Sequence, residues 1–233
     1  MRPCFNVVLC SALLLSIVAT NPAHAAIQED ESPVSANITL AGEYWEPDSE
    51  TYHSFYGDGG QFHLRVGVGA VWFKKYIPVI HLETNLGLGY TTKKGFQVAA
   101  DNQSEQTGDE VRLTIYPIVA EVLLGLDIFP EQILVPYGAI GFDVVPFLEV
   151  EQVENGSKLG GTKLGWHWRA GLAILLDPLE PARASQADAI TGVNDVFLTL
   201  EAVRQNVPFT TPEEGAGFDF SGWSFRAGLK IVI

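Results

Sequence analysis

The chain repeats one pattern, in which apolar residues alternate with polar or small residues at every second position. In the segment 61–74, one face would carry Phe62, Leu64, Val66, Val68, Ala70 and Trp72. The opposite face would carry His63, Arg65, Gly67, Gly69, Val71 and Phe73. Because successive side chains of a β-strand point to opposite faces, this period of two predicts strands.

The alternation predicts eight strands, which span 36–46, 61–74, 80–90, 111–128, 134–150, 164–176, 195–205 and 223–233. In the fourth, the apolar residues change face near Pro117, which suggests a β-bulge there. An even number of antiparallel strands can close with both chain ends on one side. We therefore expect an all-β fold, an eight-stranded antiparallel up-and-down transmembrane β-barrel over residues 36–233.

The segments between the predicted strands alternate between long and short. The long ones are polar, glycine-rich and mostly acidic, and they span 47–60, 92–109, 151–162 and 206–217. The short ones, 74–78 and 129–133, separate them as turns. This rhythm is typical of external loops and periplasmic turns. The segment 177–194 is an exception, because it is long and alanine-rich where a short turn is expected, and we expect a helical turn in it.

The first 25 residues have the features of a cleaved signal peptide. Arg2 precedes an apolar run from Phe5 to Val18, and Ala23-His24-Ala25 provides small residues at a cleavage site. The apolar run is shorter than the about 20 residues that a transmembrane helix needs. The prediction is therefore export, with a short polar leader over residues 26–35 before the barrel.

Both cysteines, Cys4 and Cys10, lie in the predicted signal peptide, so we expect neither a disulfide nor a cysteine metal site in the mature chain. Charged residues make up 18% of the 233 residues, below the roughly 25% of soluble domains. The formal net charge is −14. Without a basic surface to displace counterions from phosphates, a nucleic-acid partner is not expected.

Alternation alone does not say which face of the barrel wall is outside. In a soluble, lipocalin-like barrel the apolar face would point inward. The polar face here is rich in glycine, however, and carries only one of the lysines, Lys230. The apolar face carries aromatic residues near strand ends, as expected of membrane-interface girdles, namely Tyr44, Trp72, Tyr90 and Trp223. These features favour an outward apolar face, with a soluble periplasmic ligand-binding barrel as an alternative.

With the polar face inside, every predicted strand places one formal charge in the lumen. This charge belt comprises Glu43, Arg65, Glu83, Glu121, Asp143, Arg169, Glu201 and Arg226, with Lys230 deeper in the barrel. Unpaired charges in a narrow lumen are costly, so we expect cross-strand ion pairs. Glu43 should pair with Arg226, because closure makes the first and last strands neighbours.

The charge belt has two interpretations, a plug of paired side chains or a gate that selects solutes. The interior of an eight-stranded barrel is about wide enough for side chains to fill, which favours the plug. Three histidines are also expected in the lumen, where they would join the ion network: His63, His81 and His167.

The segment Val135-Pro136-Tyr137-Gly138-Ala139-Ile140-Gly141-Phe142 looks like the PYxGxGxG strand of small outer-membrane barrels. With the terminal segment 223–233, it makes the chain similar to the class that contains the OmpA membrane domain, OmpX and OmpW. The resemblance implies a monomer in a Gram-negative outer membrane, in contact with its lipids and lipopolysaccharide. It also implies insertion by the barrel-assembly machinery, although the chain ends in Ile233 where an aromatic residue is usual.

Within this class, the lead hypothesis is a structural or surface-interaction barrel with a plugged lumen. The second is a narrow, OmpW-like channel for small or hydrophobic solutes. Catalysis is not expected, because the histidines at 81 and 167 point inward with no serine in step. An omptin-like site would need acids and a histidine at the outer rim, and Asp48, His53 and Asp58 share only a flexible loop.

The sequence predicts no metal site and no cofactor. The spacing of Asp101, Glu105, Asp109 and Glu110 does not match a calcium-binding EF-hand loop. Four cations cluster at the predicted outer rim, namely Lys93, Lys94, Arg112 and Lys163. They are suited either to binding lipopolysaccharide phosphates or to snorkelling at the membrane interface, and both interpretations stay open.

Overall fold

The computed structural model describes residues 36–72, 80–99, 102–129, 132–153, 156–208 and 219–233. The predicted signal peptide, the leader and the turn at 74–78 lie outside these residues. The strands are β1 (Ala36–Pro47), β2 (Gln61–Trp72), β3 (Ile80–Ala99), β4 (Asn102–Ile115), β5 (Ile118–Leu126), β6 (Leu134–Glu151), β7 (Lys158–Leu175), β8 (Asp195–Asn206) and β9 (Gly222–Val232). The helices are α1 (Glu50–Tyr56) and α2 (Pro181–Thr191).

The strands close into a ring in which every pairing is antiparallel. β1 pairs with β2 on one side and with β9 on the other, so the first and last strands complete the wall. β4 and β5 follow one another along a single position of the wall, and both pair with β3 and β6. The wall therefore has eight positions, and the predicted eight-stranded antiparallel barrel is confirmed.

The predicted bulge at Pro117 is wrong. On the β3 side, Thr91 pairs with Ile115 and Leu88 pairs with Ile118. The step from 88 to 91 on β3 therefore equals the step from 115 to 118 on the facing side, and no extra residue is inserted. The register toward β6 is also continuous across this point. Pro117 has no N–H and cannot donate to the ladder, which interrupts the strand without inserting a residue.

The facing of this strand is likewise continuous, since Val111, Leu113, Ile115, Val119 and Leu123 are all buried on its inner side. What changes near Pro117 is the chemistry of the interior. Below it the inner positions include Glu121, and directly above it the inner positions 111, 113 and 115 are apolar. The apolar residues therefore change face in the sequence because the inner side of this part of the wall becomes apolar toward the loops.

The apolar face of the wall points outward, as predicted, and the charged face points inward. Large apolar side chains are exposed on the outer surface of most strands, including Leu40, Leu64, Val66, Leu86, Leu88, Val122, Ile140, Phe142, Leu164 and Phe225. Such an exterior suits a hydrocarbon environment rather than water. No helix in the described part of the chain is long and apolar enough to cross a membrane.

Three of the predicted loops contain more regular structure than expected. The segment 47–60 contains α1, whose first turn is capped by Ser49 Oγ accepting from the Tyr52 N–H at 3.2 Å. Most of 92–109 continues β3 and β4 as a hairpin, and β7 already begins at Lys158. The predicted helical turn in 177–194 is present as α2, preceded by a short 3-10 turn at Asp177–Leu179.

Candidate functional site

Glu43 is the centre of the charge belt. Its side chain is 0% exposed, and Arg226 is its Cα partner across the β1–β9 closure. The carboxylate forms an ion pair with Arg65 and accepts from Arg226 Nη2 at 3.3 Å. It also accepts from Ser224 Oγ at 2.5 Å. The expected pairing of Glu43 with Arg226 is thus present, and donors from both neighbouring strands compensate the buried charge.

A second cluster continues the charge belt around the wall. Arg169 forms ion pairs with Glu121 and Glu201, and Arg226 Nη1 reaches Glu201 at 3.2 Å. Tyr137 donates its hydroxyl to Glu201 at 2.6 Å. Arg226 therefore connects this cluster to Glu43, so the side chains form one network rather than isolated pairs.

A glycine makes room for this network. A Cβ at Gly171 would lie 2.7 Å from the Tyr137 ring and 2.9 Å from the Leu200 carbonyl oxygen. Both distances are shorter than carbon atoms tolerate, so a side chain at this position would displace the tyrosine from Glu201. Glycine on the inner face of β7 therefore serves the packing of the lumen.

His167 bridges two carboxylates of the charge belt. Its Nδ1 lies 3.0 Å from Asp143 Oδ2, and its Nε2 lies 3.2 Å from Glu121 Oε2. Because a carboxylate only accepts hydrogen bonds, His167 can donate to both partners only as an imidazolium. In that protonated form it adds a further cation to the belt.

Glu83 interacts with the basic side chains that lie nearer the chain termini. It pairs with Lys230 and lies 3.3 Å from His81 Nε2, while Asn37 Nδ2 donates to it at 3.1 Å. All nine charges assigned to the lumen therefore point inward; eight of them form ion pairs with one another, and Asp143 contacts His167. His63 differs from the other two histidines, since neither ring nitrogen has a hydrogen-bond partner within the described residues.

The space left inside the belt is small. One cavity of about 60 Å³ is lined by charged groups that include Arg65, Glu83, Glu121 and Arg226. Another, of about 40 Å³, lies toward the chain termini beside Asp195. A single water molecule needs about 10–15 Å³ of such a cavity, so each cavity has room for a few waters.

Above the belt, toward the long loops, an apolar cluster fills the mouth of the barrel. We call it the mouth plug, and it consists of Trp45, Tyr52, Tyr56, Val111, Leu113, Ile115, Val145, Phe147, Val207 and Phe220. The Trp45 ring lies 5.5 Å from that of Tyr52 and 6.0 Å from that of Phe220, both edge to face. This cluster was not predicted from the sequence, although the apolar residues at 111, 113 and 115 were a signal for it.

Hydrogen bonds attach α1 to the wall. The Tyr52 hydroxyl donates to Gln61 Oε1 at 2.6 Å, and Gln61 Nε2 donates to Thr91 Oγ1 at 2.7 Å. The Tyr56 hydroxyl donates to Glu149. Burial raises the pKa of both tyrosines, which keeps their hydroxyls neutral and able to donate.

The four rim cations do not form one cluster. Lys163 is 5% exposed and points inward, with its Nζ 5.7 Å from the centre of the Phe220 ring. Lys93 donates to the Gly59 carbonyl oxygen at 2.9 Å beneath α1, and burial lowers its pKa. Both positions have inward parity in their strands. Their predicted place at the outer rim, which both open interpretations assumed, is therefore wrong, whereas Lys94 and Arg112 are exposed on the outer surface.

The remaining predicted positions lie on the outside of the barrel or in its first loop. Four aromatic residues are exposed on the outer face, namely Tyr44, Trp72, Tyr90 and Trp223. In the loop, Asp48 forms an ion pair with Arg204 at 2.5 Å, and His53 Nε2 is bonded to the Pro47 carbonyl at 2.9 Å. Among the described residues, no group of acids, histidines or cysteines is arranged to hold a metal ion.

No family model and no curated protein sequence matches the chain. Among solved structures, OprG from Pseudomonas aeruginosa matches with a TM-score of 0.50 at 9% identity, over 87% of this chain and 98% of that one. Neisserial surface protein A matches at 0.47 and 14%, over 86% and 99%. Ail of Yersinia pestis, solved with the heparin analogue sucrose octasulfate, matches at 0.45 and 10%, over 88% and 100%. Identities this low show the fold alone, and that fold is the small outer-membrane β-barrel.

Proposed function

We propose that the protein is an integral barrel of a Gram-negative outer membrane whose lumen is closed, and that its role is structural or lies in surface interactions. One observation carries the proposal: two successive layers of different chemistry fill the lumen. The charge belt occupies the membrane-spanning part with paired ions, and the mouth plug covers it with aromatic and aliphatic side chains. The cavity that the charge belt lines is only about 60 Å³.

The surface of the barrel supports the membrane location. Its outer face is apolar around the ring, and exposed aromatic side chains lie near strand ends. A soluble periplasmic barrel would bury this face instead. Export through a cleaved signal peptide and insertion as a monomer by the barrel-assembly machinery belong to the same proposal.

The arrangement of the ionisable groups argues against a catalytic role. A catalytic acid or base must reach a substrate, yet the side chains of Glu43, Glu121 and Glu201 are at most 7% exposed and form ion pairs with arginines. Near α1, His53 is hydrogen-bonded to the Pro47 carbonyl, and Tyr56 is hydrogen-bonded to Glu149. Asp48 forms an ion pair with Arg204. We therefore propose a barrel without enzymatic activity.

Planar-bilayer recording tests the closed lumen against the alternative of a narrow solute channel. The wild-type protein, inserted in folded form, is expected to give no stable single-channel currents. Stable currents that change with Arg169→Ala, in the lumen, and not with Arg204→Ala, on the outer face, would overturn the proposal. Heat-modifiable gel mobility provides the control for folding in every sample.

Cell fractionation tests the location. The folded protein is expected in the outer-membrane fraction and should migrate faster in SDS before boiling than after it. Recovery in a detergent-free periplasmic extract would instead indicate a soluble barrel and contradict the proposal.

A further inference from the structure

The outer surface of β3, β4 and β5 changes from apolar to cationic in regular steps. Leu88 pairs with Ile118 within the apolar band. Next toward the loops, the rings of Tyr90 and Tyr116 lie 5.6 Å apart and are exposed. Thr92 then pairs with Thr114, and Lys94 with Arg112. The same side of the wall thus presents hydrocarbon, aromatic, hydroxyl and cationic levels in that order.

The cationic level continues across two more strands. Val150 on β6 is the Cα partner of both Arg112 and Lys158. Lys94, Arg112 and Lys158 therefore stand in one row, and all three are exposed. Neighbouring strands are about 4.8 Å apart, so the row is about 14 Å wide. We call these three residues the cation row.

The height of the cation row matches the headgroup layer of a membrane. Tyrosine rings with one apolar and one polar end lie at the membrane interface. Lys94 follows Tyr90 by four residues, which is about 13 Å along the strand and about 10 Å along the membrane normal for a tilted strand. The ammonium and guanidinium groups therefore lie beyond the hydrocarbon, where lipid headgroups carry their phosphates.

The charges of the row are poorly compensated by the protein itself. Lys94 and Arg112 lie directly opposite each other, an arrangement that is unfavourable for like charges. Lys94 has an exposed ion pair with Glu110 at 2.7 Å, which water and salt weaken. Arg112 forms no ion pair with any residue whose side chain is described. Arg204 provides a contrast on the same outer surface, since Asp48 neutralises it and it lies 5.7 Å from the Trp223 ring centre.

We propose that the cation row binds the phosphate groups of the phosphorylated glycolipid in the outer leaflet. Arg112 can present two parallel N–H groups to one phosphate, and its neighbour Lys94 adds a second cation at hydrogen-bonding reach. Lys158, two strands away, can contact a further phosphate of the same headgroup. The continuity of the row with the lipid-facing surface identifies the occupant as a lipid rather than a soluble anion.

The test uses the full mature barrel in phosphatidylcholine nanodiscs that contain either diphosphoryl lipid A or the same lipid after dephosphorylation. Retention of the lipid is measured by native mass spectrometry. The wild type is expected to retain the phosphorylated form preferentially. The triple variant K94A/R112A/K158A should weaken that retention by roughly tenfold or more, while R204A changes it by less than about twofold.

Equal retention of the two lipids by the wild type would overturn the proposal. Retention of diphosphoryl lipid A by the triple variant as strong as that by the wild type would overturn it too. Competition by inorganic phosphate at the lipid concentration would identify a site for free anions and would overturn it as well. Lys158→Ala alone, expected to lose about threefold, gives a second measurement if the triple variant does not fold. The inference rests on the proposed membrane location and is independent of conductance, so a conducting wild type that keeps its phosphate preference would contradict only the closed lumen.

Discussion

The two halves of the lumen are filled by opposite means, although one continuous barrel wall lines both. In the membrane-spanning half, inner positions carry charges that neutralise one another across strands, as Glu43 and Arg226 do. In the mouth, inner positions of β1, β4 and β6 carry apolar side chains, and α1 contributes Tyr52 and Tyr56 from a loop. The inward chemistry of the wall therefore differs between its two halves, from paired charges in one to apolar side chains in the other.

This difference predicts two kinds of response to substitution. A charge in the belt depends on specific partners, so removing one group leaves another charge buried and uncompensated. A side chain in the mouth plug loses contacts in proportion to the space that it vacates. The belt should therefore respond as a network, and the plug residue by residue.

The largest effect is expected from Glu43→Gln. The substitution keeps the shape of the side chain but removes the carboxylate that pairs with Arg65 and leaves Arg226 with Glu201 alone, which should cost about 3–5 kcal/mol of unfolding free energy. Urea unfolding from lipid vesicles measures it. Glu110→Gln removes the same charge from an exposed pair and should cost less than about 1 kcal/mol. Equal losses in the two variants would mean that the belt is not the coupled network inferred from its geometry.

An intermediate effect is expected from Leu113→Ala in the mouth plug. Leu113 is fully buried, so its truncation creates a cavity and should cost about 3 kcal/mol in the same vesicle assay. Leu88→Ala is the matched control, because this side chain faces outward and lipid chains can fill the space. A loss at position 88 as large as the loss at 113 would contradict the assignment of inner and outer faces.

The smallest effect is expected from Tyr56→Phe, which removes the hydrogen bond to Glu149 above the membrane-spanning part. The loss should be about 1 kcal/mol at neutral pH. Burial raises the pKa of Glu149, and the nearby Glu151 raises it further, while the Tyr56 hydroxyl opposes the shift. Loss of the Tyr56 hydroxyl should therefore raise the pKa of Glu149 further above its wild-type value, which an NMR titration of the labelled carboxyl would detect.

The sign of the pH dependence follows from that raised pKa. The folded state holds the Glu149 proton more tightly than the unfolded chain does, so the group contributes stability in acid. This contribution should be lost as the pH rises through and above the ordinary range of glutamate, about pH 4 to 5. Glu149→Gln should remove this slope, and an unchanged slope would assign it to other carboxyl groups.

Much of the membrane-spanning half could be predicted from the sequence, because its physics is local. Alternation assigns each residue to a face, and closure makes β1 and β9 neighbours, which was enough to pair Glu43 with Arg226. The same alternation also places Lys93 and Lys163 on the inner face of their strands, as the structure does. Their expected place at the rim is wrong because the facing of the strand position, and not the charge of the side chain, sets the direction in which each lysine points.

The half of the barrel that carries the mouth plug and the long loops was harder to predict. Beyond the membrane both faces of the β3–β4 hairpin carry polar residues, so the alternation that identifies strands disappears even though the backbone pairing continues. The mouth plug depends on contacts between distant segments, such as Trp45 with Phe220, that no local pattern encodes. The position of Lys158 on a strand was not predicted because it lies in the polar, glycine-rich segment 151–162, which is typical of a loop.

The β1–β9 closure has a consequence for the order in which the protein becomes electrically balanced. β9 supplies Arg226 to Glu43 and Glu201, and Lys230 to Glu83. As the ribosome makes the chain from its N-terminus, the acids of β1, β3 and β8 exist before these cations do. A chain truncated before β9 would therefore be left with surplus carboxylates as well as two unpaired edges. The final strand completes both the backbone ladder and the neutralisation, so that shape and charge are finished in one step.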